Sequence, residues 1–144
     1  MTTSVNKPPI WFWVISVLAL AWNSTGVHGY ISQAYKTSAF TDAYTADQIE
    51  VMTNLPAWYT ALFAIAVFAG VIGCLFLLLR KKTARLLLII SFISATAQMT
   101  YFLFIADLKG IDFSANQIMA YVIIAFALFL VWFANYATKK EWLK

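Results

Sequence analysis

The sequence predicts an all-α fold, an integral-membrane bundle of four helices, and three observations carry that prediction. Hydrophobic residues make up 62% of the 144-residue chain and charged residues only 11%, whereas a soluble domain has about 45–50% apolar and about 25% charged residues. Four runs, 10–35, 55–79, 86–106 and 118–137, contain no Asp, Glu, Lys or Arg, and each has the roughly 20 residues a helix needs to cross the hydrocarbon layer. No run alternates apolar and polar positions as a membrane barrel strand does. The chain is read as one domain spanning 1–144.

The first run starts as a plain spanning segment, WFWVISVLALAW, and then turns polar without a break in helical length: Asn23, Ser24, Thr25, Gly26, His28 and Gly29 follow. Lys7 precedes it as in a signal peptide, but the run is longer than the roughly 7–15 residues of a signal core and no clear A-x-A site follows, so retention is expected. Residues 36–54 form a loop long enough to fold locally. In it, Thr45 and Gln48 have the spacing of a capping box, which predicts a short surface helix over 46–52. Pro56 suits the opening turn of the second spanning helix, and Trp58 and Tyr59 suit the outer aromatic belt.

In the second span, Ala66, Ala69, Gly70 and Gly73 share one face, a small-residue stripe that lets another helix backbone approach closely. The turn Arg80, Lys81, Lys82 to Arg85 makes spans two and three an antiparallel pair, its cations serving as headgroup anchors. In the third span Ser91, Ser94, Gln98 and Tyr101 follow at intervals of three, four and three, so they project from one face and are expected to look into the bundle. Ser114 and Gln117 repeat the capping-box spacing at the start of span four.

Orientation follows from the cations. With the N-terminus inside, Lys7, Arg80, Lys81, Lys82, Arg85, Lys139, Lys140 and Lys144 are cytoplasmic, while only Lys36 and Lys109 are outside, as the positive-inside rule requires. Asp42, Asp47, Glu50, Asp107 and Asp112 fall on the outer side. Both termini are therefore expected in the cytoplasm, and the chain in a bacterial inner membrane, with the lipid bilayer as its surroundings.

Several function classes are disfavoured. The net charge of +4 sits at the ends of apolar runs instead of forming a basic, aromatic-interleaved patch, so nucleic acid is not an expected partner. The single cysteine, Cys74, lies inside an apolar run and reads as a packing residue. One histidine provides no set of metal or haem ligands, no carboxylate occupies mid-membrane for a proton relay, and no phosphate loop, nucleophile elbow or zinc-protease motif is present. Neither enzyme activity nor a metal or cofactor is expected.

What remains is a polar cluster. Asn23 lies 13 residues past Ile10 and Gln98 lies 12 past Leu86, so both reach about 18–20 Å into the membrane and stand at nearly one level. Gly26 and Tyr30 share the face of Asn23, His28, Ser24 and Ser32 form an adjacent face, and Tyr59, Thr60 and Tyr121 approach from other spans. Two readings stand. The amides could be interhelical glue, with Ser and Thr bonded to their own helices. Alternatively, Asn23 and Gln98 would bind a ligand, with His28 at the entrance and Trp22, Trp58 and Tyr101 as walls. For His28 a solvated or helix-capping role competes with proton acceptance.

Residues 22–26 (WNSTG), 54–58 (NLPAW), 64–73 leading into 77–82 (LLLRKK), and 91–98 carry a resemblance to small bacterial four-helix inner-membrane proteins, some labelled sugar transporters and some grouped loosely with DoxX-like proteins. The first span departs from the DoxX-like pattern in lacking an early arginine and a high glycine content. The resemblance implies a solute-handling role and assigns no residue. The functional expectation is a protein that binds or passes a small uncharged polar solute, as a homo-oligomer if it transports. The alternative is a non-enzymatic accessory subunit or assembly factor that packs on a larger membrane complex.

Overall fold

The computed structural model describes residues 7–105, 110–111 and 113–143. Within them the order is α1 (Ile10–Tyr35), α2 (Ser38–Ala43), α3 (Ala46–Thr53), α4 (Ala57–Leu78), α5 (Thr83–Thr100), a π-helical turn (Tyr101–Ile105) that continues α5, and α6 (Ser114–Lys139). Helices α1, α4, α5 with its π turn, and α6 are long and apolar enough to cross a membrane. The expected spans are thus present. The third begins three residues earlier than its charge-free run, because Thr83 and Ala84 continue the helical hydrogen bonding and Ala84 is buried. Its predicted end at Ala106, and the charges Asp107, Lys109, Asp112 and Lys144, lie outside the described residues.

Helix α4 is central. It packs on α1 on one side and on α5 on the other, and α5 packs on α6. Its small-residue stripe makes both contacts close. A Cβ at Gly73 would meet the Leu88 side chain at 3.0 Å, and one at Gly70 would overlap the Asn23 amide oxygen. Ala66 and Gly70 are buried with Gly73, and the Ser91 hydroxyl donates to the Ala66 carbonyl at 2.7 Å across the α4/α5 contact. Such a bond contributes about 0.6 kcal/mol between membrane helices. Helices α1 and α6 have no comparably close backbone contact. They meet through rings: Trp11 and Phe12 against Phe133 at the basic end, and Trp22 against Phe126, 5.0 Å between centroids, further out.

The basic end is tied shut. Glu141 adopts a left-handed φ of 62° that reverses the chain, and Trp142 and Leu143 become buried. Trp142 packs edge-on against Trp11 and Phe12, and its carbonyl accepts from Arg80 Nε at 2.8 Å. The described ends of the chain and the α4/α5 turn thus occupy one end of the bundle.

At the other end Thr45 and Gln48 make both capping-box bonds and start α3, as their spacing predicts. The preceding helix α2 was not anticipated. The second capping box does not form: helix α6 begins at Ser114 itself, with Phe113 at the N-cap position and no side-chain cap bond. Phe113 is buried against Phe102, and the helix starts one residue earlier than the capping-box spacing predicts.

Candidate functional site

Two adjoining chambers lie between the four long helices. The inner one, about 270 Å³, is bounded by Trp22, Asn23, Thr25, Gly26 and Gly29 of α1, Phe63, Ala66 and Val67 of α4, Ser91, Ala95 and Gln98 of α5, and Met119, Ile123 and Phe126 of α6, among others. The outer one, about 320 Å³, is roofed by α2 and lined by His28, Ser32, Gln33, Tyr44, Tyr59, Gln98 and Asn116, with apolar neighbours. Gly29, Phe63, Gln98, Met99, Met119 and Ile123 border both. The outer chamber is the more polar of the two; the inner is walled mainly by aliphatic and aromatic groups. Among the described residues, no Asp, Glu, Lys or Arg lines either one.

Gln98 occupies the junction. The 3.6-residue period turns Ser91, Ser94 and Gln98 to the buried face of α5, and Gln98 is only 2% exposed. Its side chain lies beside the buried Tyr59 hydroxyl, but not in hydrogen-bonding geometry from its nitrogen. Its amide nitrogen has no hydrogen-bond partner among the described residues. An unmet buried donor costs about 1–3 kcal/mol, so this group is the polar atom of the site with the most to gain from a ligand.

Asn23 shares the inner chamber with Gln98, as their common depth predicts, but its nitrogen is engaged. It donates to the Ala19 carbonyl of its own helix at 2.9 Å and to Cys74 Sγ at 3.4 Å. Gly70 leaves the space in which this amide sits. For Asn23, then, the glue reading describes the nitrogen. Ser24 and Thr25 donate to the carbonyls of Leu20 and Trp22 within α1, as the same reading expects.

The remaining sequence-predicted residues divide. Trp22 lines the inner chamber and His28, itself exposed, lines the outer one. Trp58 and Tyr101 line neither. They pair edge-on with each other at 4.7 Å and Trp58 is 50% exposed, because Trp58 and Tyr59 point in different directions around α4 and the buried position falls to Tyr59. Tyr30 packs edge-on against Phe63 and Phe68 and borders, with Thr60, a separate recess of about 210 Å³. Tyr121 is 57% exposed and lines no chamber. Sequence reasoning missed Met119, Ile123, Tyr44 and Asn116. Asn116 donates to the Tyr44 hydroxyl at 3.3 Å across the outer chamber's wall, a contact between segments 72 residues apart that no local pattern announces.

The site lies in an all-helical bundle with four helices long and apolar enough to cross a membrane, and none of the described residues that line it is Asp, Glu, Lys or Arg. Comparison with protein-family models, with curated proteins and with solved structures finds no match for the chain.

Proposed function

We propose that this protein binds a small uncharged solute in the joined chambers, with Gln98 as the principal polar contact and Asn23 and Trp22 in the inner wall. The observation that carries the reading is the Gln98 amide nitrogen, buried, unpartnered and placed where the two chambers meet. Cavities that hold small ligands are mostly apolar with a few directed polar groups, and the absence of charged residues from the described lining favours a neutral ligand. The apolar inner wall favours an amphipathic solute over a sugar, whose many hydroxyls would find too few acceptors and donors there. Neither an enzyme activity nor a cofactor is part of the reading.

The setting proposed with it is a bacterial inner membrane. The basic end, with Lys7, Arg80, Lys81, Lys82, Arg85, Lys139 and Lys140, faces the cytoplasm by the positive-inside rule, and the chambers open toward the outer side. The accessory-subunit alternative rests on small-residue and aromatic faces available to a partner, and aromatic residues such as Trp132 and Phe104 are exposed; the small-residue stripe is a different matter. That stripe is occupied inside the chain by α1 and α5.

Native mass spectrometry of the protein purified from its own membranes in mild detergent tests the reading. The wild type is expected to carry a non-protein mass that Gln98→Leu loses while keeping its helical circular dichroism. Identical masses on the two proteins would refute it.

A further inference from the structure

Resting on the cavity reading, we infer that the ligand is a single-chain membrane amphipath that slips between α1 and α6 from the outer leaflet, keeping its head toward the outer chamber and its tail in the inner one. Four observations lead there.

First, the wall between α1 and α6 lacks the close backbone packing of the other helix contacts. Second, its lower part is closed by Trp22 against Phe126, whereas a Cβ added at Gly29, seven residues further along α1, would meet nothing within 4 Å. Gly29 borders both chambers, and so do Met119 and Ile123 facing it from α6. The stretch of α1 from Trp22 to Gly29 is about 10 Å long, and along it Thr25 lines the inner chamber while itself exposed, as does Met119 of α6. Both residues are thus open to the chamber and to the outside of the bundle, which in a membrane is lipid.

Third, the polarity of the chambers runs the way an outer-leaflet amphipath is built. Gln33, Tyr44, Tyr59 and Asn116 can hydrogen-bond a head in the outer chamber, and Val67, Leu88, Phe126 and Leu130 surround the place for a tail in the inner one. Fourth, the unmet group at the boundary is a donor. It calls for an acceptor oxygen where head joins tail: an ester, amide or ether linkage, or a hydroxyl. Among the described residues the lining carries no charge, which disfavours a phosphate head on desolvation grounds, and chambers of about 270 and 320 Å³, near the lower end of ligand-site volumes, suit one chain instead of two.

The test uses a monoacylglycerol carrying a diazirine in its chain, added to the protein in nanodiscs of phosphatidylethanolamine and phosphatidylglycerol, with photolabelled residues mapped by mass spectrometry. Labelling is expected on inner-chamber residues such as Ile123 and Ala127. Gln98→Leu should lower it about tenfold, the cost of one buried hydrogen bond. Filling the window from either side, by Gly29→Phe or by Met119→Trp, should lower it comparably, and free glycerol should not compete. Two window variants on different helices keep the test usable if one fails to fold. Undiminished labelling in whichever window variants fold overturns the lateral route. If the inner chamber stays unlabelled although native mass spectrometry finds a Gln98-dependent mass, the amphipath inference is overturned and the cavity reading stands. If neither signal appears, both fall.

Discussion

Gly29, which borders both chambers, and Gly70, behind Asn23, have opposite surroundings. Gly70 is buried where the Asn23 amide crosses from α1 to α4, and a methyl group there would overlap that amide. Gly29 faces open space. Replacing glycine by alanine in a helix ordinarily stabilises by about 0.4–1 kcal/mol where the site can accept it, and overpacking a filled site costs about 1–3 kcal/mol. Gly29→Ala is therefore expected to stabilise slightly, and Gly70→Ala to destabilise, in unfolding measured by titration with dodecyl sulfate. Equal effects of the two would show that the amide at Asn23 does not depend on the space that Gly70 leaves. The same residue-scale view separates the two amides that sequence depth places together. Asn23 spends its nitrogen on Ala19 and Cys74, while Gln98 keeps its own for the chamber.

Among the elements, α3 has a start fixed by a reciprocal pair of local bonds. Thr45 accepts from the Gln48 backbone at 3.2 Å, and the Gln48 side chain accepts from the Thr45 backbone at 3.0 Å. Thr45→Ala should cost α3 about 1 kcal/mol, seen as faster amide hydrogen exchange over Ala46–Thr53 with α4 unchanged. No change in exchange would mean that Val51, buried against Tyr59 and Phe102, holds the helix without its cap. Helix α6 shows the converse. Its Ser114 and Gln117 have the spacing of a cap, yet the buried ring of Phe113 takes the N-cap position. A local motif decides a boundary only where no neighbouring side chain has more to gain by being buried.

At the scale of the whole molecule, the bundle is tight at its basic end and loose along the α1/α6 wall further out. Phe12, Phe133, Trp142 and Leu143 form one buried cluster with Leu77 and Leu88, and Arg80 fastens Trp142 to the α4/α5 turn. Removing a buried tryptophan costs about 3–5 kcal/mol, so Trp142→Ala should lower stability strongly while leaving ligand occupancy of the folded protein unchanged. Measuring the bound mass beside the unfolding midpoint distinguishes this structural tie from a part of the site; a lost mass in folded Trp142→Ala protein would contradict that division.

From its order of residues alone, the chain determined four charge-free spans, the α3 cap, the buried stripe of α4 and the common level of Asn23 and Gln98. Each follows from helical geometry or from groups a few positions apart, and the 3.6-residue period carries that information along the sequence. Tertiary structure decided which of the polar residues meet. It turned Trp58, Tyr101 and Tyr121 away from the chambers, satisfied the nitrogen of Asn23 but not that of Gln98, and brought Tyr44 beside Asn116. It also left the α1/α6 wall without close backbone contact. These outcomes depend on how each helix is rotated against its neighbours, and that rotation is set by the packing of all the side chains together, a quantity no single stretch of sequence contains.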